Sequence, residues 1–506
     1  MSAEAGIHGG GINFGLGVGI SDLNADGWPD LYVGNDYEEQ DYLYINDQRG
    51  HFTEQAQTAF GHTSRNTMGI DIADVNNDAR PDIVTTDMLP ATWERQKRLK
   101  GPDEYDRYQL MVDSGFGHQQ MRNMLHLNQS PLAPEGGTTL AAALSTNSVP
   151  PSGRSADAAR GLLFAEVGQL AGISATDWSW AALLADFDND GWKDLYITNG
   201  IVRDFTSLDF LKYDVEVAKQ QAAALGKSLT TDGDLAKNLP TAELIAKLPS
   251  TKTDNAAFRN RNGLAFDNVT TQWGLAEGAV STGAAYADLD NDGDLDLVVN
   301  NTNQPASIYR NNAETQTQNE HLTVRLAGEG GNRFGVGALV TVTRTAGAGS
   351  RPDTLVQTQE LVPTRGFQSA MAPVLTFGLG GASAGTAAAV IRVQVRWPDG
   401  RMSNVAARPN TIITVAQNTA TAPANRAETR PNTLFGLVSD AGIAFTHAEN
   451  PYVDFKQEPL IPYQLSRQGP ALASADVNGD GRVDVFVGGA TGQPSGLFLQ
   501  DRKSVV

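Results

Sequence analysis

The chain of 506 residues contains no cysteine, so disulfides and thiolate-bound metals are excluded and the redox compartment is left open. Its seven histidines, His8, His51, His62, His118, His126, His321 and His447, form no His-x-His or His-Glu-x-x-His spacing that would hold zinc. Basic residues are outnumbered, 38 Lys and Arg against 58 Asp and Glu, giving a formal charge of -20. With no basic patch to neutralise phosphate, composition argues against nucleic acid as a partner. No apolar run reaches the roughly 18 residues needed to span a bilayer. Residues 1–10 lack the basic start and apolar stretch of a signal peptide.

What the chain has in quantity is aspartate in one repeated pattern. Asp288-Leu-Asp-Asn-Asp-Gly-Asp-Leu-Asp296 runs straight into the apolar Leu297-Val-Val299, and four similar stretches start at Asp22, Asp74, Asp186 and Asp476. Oxygens at positions 1, 3 and 5 converge only if the backbone curls tightly, and Gly at position 6 permits the sharp turn. A carboxylate at position 9 closes the cage. Such a flexible ring of hard oxygen donors suits Ca²⁺ better than the smaller, octahedral Mg²⁺. The expected metal ligands are Asp22, Asn24, Asp26 and Asp30; Asp74, Asn76, Asp78 and Asp82; Asp186, Asp188, Asp190 and Asp194; Asp288, Asp290, Asp292 and Asp296; and Asp476, Asn478, Asp480 and Asp484.

An EF-hand shares the first five positions but needs a Glu at position 12 between two helices. Here position 12 is Val33, Thr85, Ile197, Val299 or Val487, and the flanks read as strands. The pattern is that of a calcium-binding β-hairpin. Asp and Asn also make Asx turns without a metal, yet three or four carboxylates in nine residues repel one another unless a cation lies among them.

Taken in order, each unit reads as a Gly-rich strand, a metal loop, a second strand and a hairpin such as Tyr42–Asn46 to His51–Glu54, four strands in all. Units of about 50 residues built this way indicate β-propeller blades. The expected fold is all-β: a propeller region over 1–312, a β-sandwich-like domain over 314–415 without metal loops, a linker over 416–432, and the start of a further unit over 433–506. Insertions are expected at about 91–160 and 203–255. Within them Pro131–Arg160 reads as a mobile loop, Ser207–Leu225 has helical apolar spacing, and a short helix is expected over Thr241–Leu248.

The Asp-x-Asp/Asn-x-Asp-Gly-x-x-Asp hairpins resemble the FG-GAP/VCBS repeat family, whose blades form integrin-α-type propellers with Ca²⁺ in those hairpins. Pro363-Thr-Arg-Gly-Phe-Gln-Ser369 with Arg396-Trp-Pro-Asp-Gly400 resembles the ASPIC/UnbV domain that follows such repeats. Gln120–Met124 and Gly200–Tyr213 are similar to long exported surface proteins of Bacteroidetes-type bacteria. Ala5-Gly-Ile7 matches the Ala171-Gly-Ile173 that ends a preceding hairpin, and the last unit is cut short, so the chain is expected to be a fragment truncated at both ends, its export signal lost with the missing N-terminus. Two departures stand out: Ala79 replaces Gly at position 6 of the second loop, and the last unit is incomplete.

The resemblance and the loops together imply a calcium-binding, extracellular or cell-surface binding or adhesion module for a protein or glycan ligand. Trp28 and Trp192, at position 7 of their loops, are candidate sugar platforms, or else pack on a neighbouring blade. Arg365 is expected to make a structural ion pair. With no catalytic motif read, the chain is expected not to be an enzyme. A polysaccharide-acting enzyme and a purely architectural segment are the alternatives.

Overall fold

The computed structural model describes residues 4–9, 11, 13–99, 105–130, 162–224, 245–346, 353–381, 390–422, 443–458, 465–467 and 469–500. Two compact units divide the chain, Met1–Ala427 and Glu428–Val506.

In the first unit each aspartate loop joins the first two strands of an antiparallel sheet, because its two flanks are β-prone and the loop reverses the chain between them. The first sheet runs Phe14–Ser21, Asp30–Asp36, Tyr42–Asn46 and Phe52–Glu54, in that order across the sheet. The second runs Ile70–Ala73, Asp82–Thr85, Met124–Asn128 and Phe164–Glu166; the third Ser179–Ala185, Asp194–Asn199, Ala256–Arg261 and Ala265–Asn268. The fourth has three strands, Ser281–Ala287, Asp296–Asn301 and Ser307–Tyr309.

These are propeller blades stacked face to face. Tyr32 and Leu43 of the first blade bury against Ile70, Ile72 and Ile83 of the second; Val84 and Leu125 of the second meet Leu184, Leu195 and Ile197 of the third; Leu183 and Tyr196 of the third meet Leu297 and Val299 of the fourth. First strands lie nearest the axis, which explains their glycines: a Cβ on Gly19 would stand 2.6 Å from Ile72 Cδ1.

Two findings differ from the sequence expectation. Met124–Asn128, placed there within a single insertion, is the third strand of the second blade, so residues 86–123 and 129–163 are two separate excursions. The fourth blade stops at three strands because Tyr309 leads through Arg310–Asn312 into the helix Ala313–Gln316 and then into the sandwich. The helix expected near Ser207 spans Leu208–Ala224. Residues 245–247 are helical, whereas 241–244, the loop expected at 131–160 and the linker residues 423–432 lie outside the described residues.

The sandwich pairs Asn319–Ala327 with Val374–Gly381 and, in parallel, with Thr411–Ala416. Its second sheet runs Asp353–Glu360, Leu339–Ala346, Val390–Arg396 and Met402–Ala407. Alternating residues Leu322, Val324, Val340, Val342, Val393 and Val395 fill the space between the sheets with Phe377 and Trp397. The Trp397 indole donates to Ser403 Oγ at 2.9 Å, which satisfies its buried polar atom.

From this sandwich the short hairpin Thr364–Arg365 and Ser369–Ala370 reaches the axis, where it touches the first strands of all four blades. Gly366 and Ile70 exchange backbone hydrogen bonds of 2.9 and 3.3 Å, and Phe367 joins the core between the third and fourth blades.

The second unit is a sheet of Leu472–Ala475, Asp484–Val487 and Gly496–Phe498 around the fifth loop, with Phe445 edge-on to Phe498.

Candidate metal centres

All five loops fold alike, and the reason is visible in their hydrogen bonds. The position-1 aspartate accepts the backbone N–H of position 5 on Oδ1 and that of position 6 on Oδ2: 2.9 and 2.8 Å at Asp22, 3.0 and 2.8 Å at Asp74, 3.0 and 2.8 Å at Asp186, 3.1 and 3.1 Å at Asp288, 3.2 and 2.8 Å at Asp476. The curl this enforces requires positive φ at position 6, which Gly27, Gly191, Gly293 and Gly481 adopt at low cost. Ala79 adopts it too, at φ +66°.

Positions 1, 3 and 5 converge in the third and fourth loops. Asp186, Asp188 and Asp190 bring one carboxylate oxygen each within 4.8 Å of the others, as do Asp288, Asp290 and Asp292, and a further group forms from Asp292, Asp294 and Glu314. In the first, second and fifth loops Asn24, Asn76 and Asn478 supply an amide oxygen at position 3 instead, with Nδ2 donating to the position-5 aspartate at 3.1, 3.2 and 3.3 Å.

Position 9 has a second duty. Asp30, Asp82, Asp194, Asp296 and Asp484 each accept the position-2 N–H on Oδ2, at 3.0, 2.9, 3.0, 2.8 and 3.0 Å. On Oδ1 they accept a backbone N–H from the end of the third strand, at Asn46, Asn128, Asn260, Asn311 and Gln500. The sequence reading missed those asparagines. Nδ2 of Asn128, Asn260 and Asn311 donates both to its own loop and to the position-2 carbonyl of the preceding blade, at Leu23, Val75 and Phe187. Their signal was available as an Asn at or near the end of the third strand in the first four blades, in Leu-Tyr-Ile-Asn46, Leu-His-Leu-Asn128, Phe-Arg-Asn260 and Tyr-Arg-Asn311, with Gln500 in its place at the fifth loop.

Crowding of carboxylates in partly dry surroundings disfavours their charged forms. Burial, with help from Asp190 and Asp188, raises Asp186 to about 8, and burial raises Asp74 and Asp30 to about 7. Asp476 in the exposed fifth loop is lowered instead, mainly by the Gly481 N–H. Protein cations relieve part of the strain. Arg259 pairs with Asp188 at 2.7 Å and Asp190 at 3.0 Å, and Arg310 pairs with Asp290 at 2.8 Å and Asp292 at 3.0 Å. Donors that are all carboxylate, amide or carbonyl oxygen, in acidic groups held close by the backbone, fit a hard divalent cation.

The sandwich covers this side of the blades. Arg396 pairs with Asp22 at 3.0 Å, and Glu360 accepts from Ser21 Oγ at 2.6 Å and from the Asp22 N–H at 3.2 Å. Asn319 Nδ2 donates to the Asp188 carbonyl and the Gly380 N–H to the Asn189 carbonyl, at 2.7 and 2.9 Å. A cavity of about 70 Å³ remains at the junction, with Asp22, Asp74, Lys193, Glu360 and Arg365 on its walls. Of the two loop tryptophans, Trp28 is 45% exposed and Trp192 is half-buried.

One further spacing escaped the sequence reading. Gly381-Ala-Ser-Ala-Gly385 has the form of a nucleophile elbow, a turn that belongs between a strand and a helix. Here it follows the strand Val374–Gly381 and precedes the strand Val390–Arg396, and residues 382–389 lie outside the described residues.

Family comparison agrees with this architecture. Residues 22–85 match the FG-GAP-like repeat and residues 328–422 match ASPIC and UnbV. The chain carries FG-GAP repeats joined to an ASPIC/UnbV domain. It is similar to integrin alpha-7 of Homo sapiens, 38% identical over 81 residues, and to integrin alpha-3 of Mus musculus, 36% identical over 84 residues. Each match covers 14% of this chain and only 7% and 8% of the integrin.

Proposed function

We propose that this chain is a calcium-stabilised extracellular binding module that recognises a protein or glycan ligand. One observation carries the reading: one oxygen cradle occurs in five copies with matching backbone bonds, and the first two lie within the residues that match the FG-GAP-like repeat. Millimolar extracellular calcium suits sites of this weak, charge-dependent kind. In this reading Ca²⁺ neutralises the loop carboxylates, fixes the blade ends and so fixes the surface on which the sandwich rests. No helix among the described residues is long and apolar enough to cross a membrane.

The test is a calcium titration of chelator-treated protein followed by thermal unfolding. A site with a dissociation constant of about 0.1 mM adds roughly 1.4 kcal/mol at 1 mM calcium, so several sites raise the melting temperature visibly. No rise on adding calcium would overturn the metal reading. Screening on polysaccharide substrates separates this module from an enzyme, since turnover would assign it to the alternative class.

A further inference from the structure

The aspartate loops connect first strands to second strands, so the opposite ends of the sheets are formed by residues that precede first strands and follow second strands. There, between the first three blades and the excursion that leaves the second blade after its second strand, lies a pocket of about 260 Å³ walled by Tyr37, Met88, Leu89, Leu99, Met121 and Trp178. We propose that it receives a bulky apolar side chain of an acidic segment of a partner protein. The proposal rests on the reading of the chain as a binding module and names the place and the ligand chemistry.

Three independent features support it. Methionine and leucine walls around a cavity adapt to an inserted side chain, whereas a sugar ring needs an open aromatic platform. Two lining residues are held in backbone conformations that L-residues rarely adopt, Tyr37 at φ +101° and Asp177 at φ +127°; strain of this kind persists where the surrounding structure imposes it and gathers at ligand sites.

The rim supplies the charge. Asp177 and Asp204 grip Arg95 at 2.5 and 2.8 Å, and Glu38 pairs with Arg65 at 3.2 Å and with Arg107. These carboxylates are buried beneath their partners, while the Arg107 side chain stays 46% exposed. Close by, Lys97 lies 4.2 Å over the exposed Trp93 ring, and Arg98 is outward with Glu94 as its 3.7 Å partner. In a chain of net charge -20, this rim keeps Arg65 buried and Arg95 half-buried but turns Arg107, Lys97 and Arg98 outward, the complement of an acidic peptide.

The test uses an array of synthetic nonapeptides with a central Leu, Met, Phe or Trp flanked by Asp, Ala or Lys, probed with the full chain in calcium, with polygalacturonate as the acidic-glycan control. Asp-flanked peptides should bind, with affinity falling as salt rises. Arg107→Ala should weaken binding about tenfold at an unchanged melting temperature, and Met88→Asp should abolish it. The proposal is overturned if Lys-flanked peptides bind equally, if Arg107→Ala binds like the parent, or if polygalacturonate alone binds. If a ligand from protein or glycan arrays binds the parent and both variants alike, the pocket falls while the binding-module reading stands.

Discussion

Arg365 donates from Nη1 to Asp71 Oδ1 at 2.7 Å and to the Ile72 carbonyl at 3.1 Å, pinning the sandwich hairpin to the first strand of the second blade across 294 residues of sequence. Asp71 is itself tied to the third blade, since its Oδ2 accepts the Leu184 N–H at 2.6 Å. Burial raises the Asp71 pKa and Arg365 opposes that shift. The structural ion pair expected for Arg365 therefore joins three elements at the propeller axis.

Removing one member of such a pair strands a buried charge. Arg365→Ala should cost about 3 kcal/mol or more in urea unfolding, and the double change Arg365→Met with Asp71→Asn should cost less than Arg365→Ala alone. A melting temperature unchanged by Arg365→Ala, together with loss of a ligand, would give Arg365 a binding role instead.

Ala79 holds φ +66° where the other loops have glycine. Because the left-handed region costs an L-residue about 1 kcal/mol, Ala79→Gly should raise calcium-free stability by up to about 1 kcal/mol, the gain being reduced by the greater freedom of glycine in the unfolded chain. The urea midpoint checks this. A lower midpoint would show that the unfolded-state term dominates.

The loops were legible because their chemistry is local: nine residues contain the donors, the turn and the start of the next strand. The same holds for the helix Leu208–Ala224, whose apolar spacing marks it within one residue at either end. What stayed hidden depends on partners far along the chain. Asn260 looks like any polar strand end until its side chain is seen bonded to Val75 O, 185 residues away. Met124–Asn128 was hidden by the excursion before it, since only its closing Asn, shared with the other third strands, marks it as a returning strand. Nor does any motif announce that Gly380 and Asn319 of the sandwich rest on the third loop.

His126 gives a pH test away from the loops. Buried against Phe60, with ring centroids 4.7 Å apart, it is pushed by burial down to about 3. In the unfolded chain it titrates near 6.5. Below that pH the unfolded state takes up a proton that the native state refuses, so the His126 contribution to stability falls as pH drops from about 6.5 toward 3, by about 2 kcal/mol at pH 5, opposite in direction to the contributions of the raised Asp30, Asp74 and Asp186. Glu166, lowered to about 2 with His62 and Arg122 as partners, contributes stability that is present above about 4.5 and lost as pH falls toward 2. His126→Phe should remove this contribution, so that the curves of variant and parent differ in slope between pH 6.5 and 4.5, diverging by about 2 kcal/mol at pH 5, and leave the Glu166 loss below it unchanged. A curve as steep as the parent's in that upper window would show that His126 is not the titrating group.

Calcium affinity should differ among the loops in an order set by two opposing effects. The third and fourth loops hold four aspartates at positions 1, 3, 5 and 9, against three and an asparagine in the first and second, and more ligand charge means tighter binding. Their carboxylates also hold Arg259 and Arg310, which the incoming ion must displace from Asp188 and Asp190 or from Asp290 and Asp292. Both arginine side chains are substantially exposed, so solvent screens the pairs and the ion should win. The third and fourth loops are thus expected to bind most tightly and the second, with Ala79, most weakly. Asp190→Ala and Asp292→Ala should each remove more of the calcium-induced rise in melting temperature than Asp78→Ala. Arg259→Ala should strengthen calcium binding at the third loop by about tenfold, because it removes the competitor and leaves the oxygens, while lowering stability in chelator. Calorimetric titration of chelator-treated variants decides between the two roles of the arginine: weaker calcium binding in Arg259→Ala would mean that the guanidinium orients the carboxylates rather than competing for them.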